Sequence, residues 1–212
     1  MYINFHTHID SEFDDTLSIV NVDINLSDNI DYKFCSVGFH PWTITENWEL
    51  LKPTFESIVT KSNVLMIGEA GLDKKCNTDF QLQTEVFLYQ IALSEKNKKP
   101  LIIHCVGAFN EIIALKRKLK PTQNWVIHGF NNRYSIAKSL FENGFWLSLG
   151  SIFENKTINY KLILELFKDR FFMETDDSTK SIKDLYKNLN TKNMGEFEHN
   201  FKLFFPTLNL EN

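Results

Sequence analysis

Residues 101–130 read LIIHCVGAFNEIIALKRKLKPTQNWVIHGF. A near-continuous apolar run ends in His104, a helical pattern fills residues 109–119, and a second apolar run carries His128. Apolar runs without alternation mark strands buried on both faces of a parallel sheet. A helix between two of them makes a βαβ unit. The same pattern extends both ways. YINFH, SIVNVDI, FCSVGFH and VLMIGEA precede this stretch, and FWLSLG and RFFMETD follow it, eight runs in all. Helical patterns also cover residues 46–61, 79–97, 133–142 and 160–168. In the 79–97 segment Leu82, Val86, Tyr89 and Leu93 share one face, and Asp79 stands where a cap belongs. Thr157 or Asn159 is the expected cap of the 160–168 helix.

Eight runs predict an α/β fold, a TIM-type (β/α)8 barrel, in one domain over residues 1–212. The barrel is expected to be shortened and irregular in its first third. Only NLSDNIDYK separates SIVNVDI from FCSVGFH, and a parallel crossover wants a dozen or more residues. Either that unit lacks its helix or one early strand runs antiparallel.

Hydrophobic residues make up 43% of the chain, enough for a full core. The net charge of −4 excludes holding nucleic acid by a broadly basic surface, so any such contact is local. Three cysteines, Cys35, Cys76 and Cys105, lack CxxC spacing and read as reduced thiols. No stretch is long and apolar enough to span a membrane, and no basic-then-apolar leader is read. The expectation is a cytoplasmic protein with no obligate protein partner.

Chemistry collects at the ends of the runs. The first ends in His6, with His8 two residues on, and positions i and i+2 of an extended chain share a side. Others end at Glu69, His104, His128 and Asp176. In a (β/α)8 barrel the carboxyl ends of the strands form the active face, so six ligands from five strands converge on one mouth. A single buried imidazole or carboxylate is ordinarily a satisfied core residue. Five strand ends strain that reading, because each such group is costly to bury unless paired or metal-bound. The donors are nitrogen and oxygen, suited to Zn, Mn or Mg. Six exceed what one catalytic zinc takes, so two divalent metal ions sharing Glu69 are expected.

FHTHID, GFHPW, IGEAGLD, PLIIHC, VIHGF and METDD, running in order from Phe5 to Asp177, resemble the motifs of the TatD-like metal-dependent deoxyribonucleases of the amidohydrolase superfamily. The resemblance implies a TIM barrel and metal-dependent cleavage of DNA, often from the 3′ end. It implies that His6, His8 and Asp176 bind one metal, that His104 and His128 bind the second, and that Glu69 bridges both. It places His40, of the GxHP motif, near the substrate phosphate. The chain also departs from the family. The family's HSRDA is HCVGAF here, so Val106 and Gly107 replace Arg and Asp. HCFSG becomes HGFNN, with Asn131 and Asn132, and ETDAPYL becomes ETDDSTK, with Asp177. The C-terminal region is short and lacks the family's Arg-Asn pair. The metal cage is whole and the substrate shell is altered.

On this reading Glu69 and Asp176 are catalytic, Asp176 as metal ligand and base together. Lys74 and Lys75, after Glu69, and Arg133, after His128, are the expected phosphate contacts for a DNA or nucleotide substrate. Trp42 is either a platform for a base or simple loop packing. Asp73, Glu174 and Asp177 support the cage or are solvated loop residues, and Cys105 points away from it. His199 is read as a surface or packing residue. EKNKK and KRKLK fall at helix ends on the opposite face, where cations complement the dipole. Two other functions stay open. One is a superfamily hydrolase of a small ester, lactone, amide or phosphoester. Many of those relatives bridge their metals with a carbamylated lysine, where this chain has Glu69. The other is a non-catalytic, metal-bound accessory protein.

Overall fold

The computed structural model describes residues 1–10, 15–187, 189, 191–206 and 208, with residues 191–196 described by their backbone. Eight strands pair in chain order and all in parallel. They are β1 Tyr2–Thr7, β2 Thr16–Asp23, β3 Cys35–Gly38, β4 Val64–Asp73, β5 Leu101–Val106, β6 Trp125–Ile127, β7 Trp146–Leu149 and β8 Phe171–Met173. The helices are α1 Lys52–Ile58, α2 Phe80–Asn97, α3 Phe109–Leu119, α4 Tyr134–Glu142, α5 Tyr160–Leu166, α6 Ile182–Tyr186 and α7 Thr191–Phe204. The sheet closes just past β8. Asp176 donates its N–H to the His6 carbonyl at 3.1 Å and accepts the His8 N–H at 3.0 Å. The fold is a nearly closed TIM-type barrel.

The irregular first third resolves to a missing helix. β2 and β3 are parallel, with Val20 opposite Cys35 and Asp23 opposite Gly38. Residues 24–34 cross between them as a loop tied down by side chains. Asp23 accepts from the Asn25 N–H at 3.0 Å and the Thr43 hydroxyl at 2.6 Å. The Asn63 amide holds the Ile30 and Tyr32 carbonyls. The link from β1 to β2 is shorter still and carries no helix among its described residues, which the spacing did not flag.

Asp79 caps α2, its Oδ1 accepting the N–H groups of Gln81 and Leu82 at 2.9 Å each. The helix expected over 46–61 is broken into a 3₁₀ turn, Trp48–Leu51, and α1, which has Pro53 in its first turn, where a missing N–H costs nothing. Asn159 stands at the N-cap of α5, as one of the two expected residues, but its side chain makes no capping hydrogen bond. Thr157 turns back to Asn155, whose Oδ1 accepts its N–H and its hydroxyl.

Two cores follow from strand alternation. Val37, Ile67, Ile103, Ile127, Leu147 and Phe171 face outward onto the helices. Ile3, Phe5, Ile19, Ile102, Val126, Trp146 and Phe172 fill the barrel. Phe172 stacks between Phe5 at 3.9 Å and Trp146 at 5.3 Å, ring centre to ring centre. Helix α7, unexpected from the sequence, packs Phe201 and Phe204 onto this inner cluster, joined by Phe205. Among the described residues no helix is long and apolar enough to cross a membrane.

Candidate metal centre

The site is the next layer up inside the barrel. His104 lies two residues beyond Ile102, His128 two beyond Val126, and Glu174 two beyond Phe172, so each inherits an inward direction. β1 needs a register slip to do the same. Its pairing with β2 shifts between Asn4 and Thr7, which lets both Phe5 and His6 turn inward. β4 shifts register against both neighbours. Gly68, at φ +130°, passes so close to β5 that a Cβ would lie 2.2 Å from the Ile102 carbonyl oxygen, so only glycine fits. Glu69 follows it and is buried.

Glu69 divides its two oxygens between two sets of imidazoles. Oε1 lies 3.0 Å from His6 Nε2 and 2.9 Å from His8 Nε2. Oε2 lies 2.9 Å from His128 Nε2, 3.2 Å from His40 Nε2 and 3.5 Å from His104 Nδ1. Asp176 Oδ1 joins the first set, 3.5 Å from His6 and 3.4 Å from His8. Donor atoms of His6, His8, Glu69 and Asp176 lie within 4.8 Å of one another, as do those of His40, Glu69 and His104. His128 Nε2 is 3.3 Å from His104 Nδ1. His6 is fully buried, and neither ring nitrogen has a well-directed hydrogen bond. Converging nitrogens and carboxylate oxygens with such an orphan fit a cation on each side of Glu69.

The charges respond to this crowding. Burial opposes protonation of His6, but the Glu69 charge and the nearby Asp176 and Glu69 carboxylates, which would accept from the protonated ring, raise its pKa to about 10. Hydrogen bonds to Asp176 and Glu69 raise His8 to about 9. For His128 the Glu69 charge outweighs burial, and the shift is again upward. Burial favours the neutral acid at Glu69 and Asp176, yet the surrounding histidines hold both below the usual carboxylate range. Glu174 goes the other way, because burial dominates.

A second set of groups orients the first. Asp73 Oδ2 accepts the Trp42 indole N–H at 2.7 Å and lies 3.2 Å from His104 Nε2, while Oδ1 accepts the Lys75 N–H. With the His104 proton on Nε2 toward Asp73, Nδ1 is left bare toward Glu69. Glu174 sits behind His128, 3.8 Å from Nδ1, and accepts the Gly129 N–H. Asn21 clasps Glu69: its Oδ1 accepts the Glu69 N–H at 2.9 Å, and its amide donates to Oε1 at 3.2 Å. Asn21 escaped the sequence reading, although a polar residue two positions past Ile19 in SIVNVDI was its signal.

A cavity of about 440 Å³ opens over the cage, walled by Asp23, Tyr32, Trp42 and Asp177 among others. Trp42 is 62% exposed, its N–H fixed on Asp73 and its ring at the cavity wall. The expected cations are not brought there. Lys74 is paired with Glu111 of α3, Lys75 borders a different cleft, and Arg133 is exposed at the start of α4. Asp177 lines the cavity, His199 is exposed, and Cys105 is half-buried, its thiol pushed up to about 12 by burial. The basic helix ends serve the far face, where Lys99 donates to the Lys61 and Val64 carbonyls and Lys116 to that of Gly144.

A family model described as TatD related DNase matches residues 5–195. An uncharacterized metal-dependent hydrolase, YabD of Bacillus subtilis (strain 168), is 27% identical over 157 residues, which are 72% of this chain and 62% of that protein. Another, from Buchnera aphidicola subsp. Baizongia pistaciae, is 35% identical over 148 residues, 66% of this chain and 54% of that one. The chain thus spans little more than half the length of these relatives. Among solved structures, YJJV, a TatD homolog from Escherichia coli K12, superposes with a TM-score of 0.76 at 14% identity, covering 98% of both chains.

Proposed function

The chain belongs to the TatD related DNase family, and on that premise we propose that it is a metal-dependent hydrolase of phosphodiester bonds in DNA or nucleotides. One observation carries this reading: the two oxygens of Glu69 serve two separate sets of imidazoles, as a carboxylate bridging two divalent ions (Zn, Mn or Mg) would. When bound, such a pair lowers the pKa of water and clamps the attacking and leaving oxygens of an in-line displacement.

The residues divide the remaining work. His6, His8 and Asp176 would hold one ion, and His104 and His128 the other. Asp73 keeps His104 in the tautomer that leaves Nδ1 free. Asp176, 37% exposed at the mouth, orients the attacking water and takes its proton. The Trp42 backbone N–H donates to His40 Nδ1 at 3.2 Å, so the proton of neutral His40 is on Nε2. That nitrogen donates to a nonbridging phosphate oxygen. The exposed face of Trp42 is placed to stack on a base.

The test is elemental analysis of the purified protein together with hydrolysis of DNA before and after chelation. About two ions per chain, as a dinuclear site requires, with chelator-sensitive cleavage abolished in Glu69→Ala, is the expected result. Turnover that survives in Glu69→Ala, His128→Ala and Asp176→Ala overturns the scheme. A second reading, hydrolysis of a small ester, lactone or amide, is favoured by the absence of any Lys or Arg among the described residues that line the cavity over the cage. A substrate panel run beside the DNA assay separates the two.

A further inference from the structure

The mouth of the barrel holds a second cavity, of about 470 Å³, beside the loops that follow β5 and β6. His128 lines both cavities and stands between them. Their linings differ. Asp23, Glu69, Asp176 and Asp177 line the first beside the imidazoles of His8, His40, His104 and His128. Among the described residues, Lys75 and the carboxamides of Asn110, Asn131 and Asn132 line the second, with no carboxylate. The Lys75 N–H is anchored on Asp73 Oδ1 at 2.7 Å, which sets where its side chain leaves the loop. Among the described residues its ammonium has no carboxylate partner, whereas the neighbouring Lys74 is neutralised by Glu111. Asn132 uses its side-chain oxygen on the Arg133 N–H at 2.8 Å, leaving its amide nitrogen to donate. Asn131 is held by Ser151 at 3.2 Å and Asn155 at 2.7 Å. Val106 and Gly107 line the cleft with short side chains and leave it open.

We propose that this cleft is a second substrate subsite, which takes a phosphate-bearing arm of a molecule whose scissile bond lies at the Glu69 cage, with Lys75 as its charge partner. An ammonium and amide donors, unopposed by carboxylate, match a phosphate group. The proposal rests on the hydrolase reading for what lies at the cage. It gives the substrate an orientation, with the phosphate-bearing arm on the Lys75 side of the cage and the other arm on the Trp42 side.

The test is calorimetric binding to Mn²⁺-loaded protein of a thymidine dinucleotide joined by an uncleavable methylphosphonate, with and without a 5′-phosphate. The phosphorylated form is expected to bind about tenfold more tightly, the effect of one charge-assisted contact. Lys75→Glu should erase that difference and flatten the log–log salt slope by roughly 0.7. Lys118→Glu, the same charge change on an exposed turn of α3, should keep both. Equal binding of the two probes by the wild type, no binding of either, or equal losses in the two variants overturns the subsite. Chelator-sensitive cleavage of bis(4-nitrophenyl) phosphate, which has no second anionic group, is read separately. Lys75-dependent binding without that cleavage sustains the subsite and overturns the phosphodiesterase reading. Cleavage without Lys75-dependent binding does the reverse.

Discussion

Asp73 touches no expected ligand atom on the cage side, yet it decides which nitrogen His104 presents. Replacing it with Asn keeps the shape and removes the charge that holds the Nε2 proton. Asp73→Asn is therefore expected to weaken metal affinity about 10- to 100-fold, the usual cost of losing such an orienting partner. Competition with a coloured chelator measures it, and an unchanged affinity would detach Asp73 from the site. The histidines make a second prediction. With metal removed, His6 and His8 titrate in the folded state at about 10 and 9, above their ordinary 6.5. A raised folded pKa contributes stability that is full below pH 6.5 and is lost as pH climbs through 9 to 10. Asp176 has the opposite sign, with a lowered folded pKa, so its contribution is present above the ordinary carboxylate range and is lost as pH falls. Urea unfolding of chelator-treated protein should show a decline between pH 7 and 10 that His8→Gln makes shallower. A decline of the same steepness in that variant would remove His8 as its source.

At the scale of elements, the far end of the barrel depends on α7. Phe204 packs edge-on to Phe5, Phe172 and Trp146, at 5.5, 5.2 and 5.0 Å between ring centres. Phe204→Ala empties part of that layer and is expected to cost about 3–5 kcal/mol, seen as a lowered urea midpoint at unchanged m. Asp79→Ala should cost only about 1 kcal/mol, since it removes one cap from an 18-residue helix that is otherwise packed. If the two variants proved equally destabilising, the assignment of α7 to the core would fail. Phe197, Phe201, Phe204 and Phe205 stand at helical spacing, a signal that escaped the sequence reading. What that stripe covers is not encoded in its spacing, because the inner layer it meets is assembled from β1, β7 and β8, far away in the chain.

Over the whole molecule the cage and the barrel seam are one structure. β1 and the chain after β8 meet through the backbones of His6, His8 and Asp176, the residues whose side chains face Glu69. A cation held there ties the two ends of the sheet together. Free metal at about 100 times its Kd would stabilise the fold by about 2.7 kcal/mol through linkage alone. Hydrogen exchange should place the protection at the seam: the His8 and Asp176 amides slow markedly on metal loading, while amides of α2 change only with global stability. Uniform slowing would mean that the seam and the cage are independent.

The amino-acid sequence by itself determined the eight runs and the groups at their ends. Burial on both faces forces continuous apolar strands, and two-residue periodicity carries His104 and His128 inward beyond Ile102 and Val126. Only the tertiary structure decided the partners. The proton on His104 is set by Asp73, the charge of Lys74 is cancelled by Glu111, and Glu69 is clasped by Asn21. Each of those pairs joins separate elements, and no local periodicity encodes which side chains meet across a closed barrel.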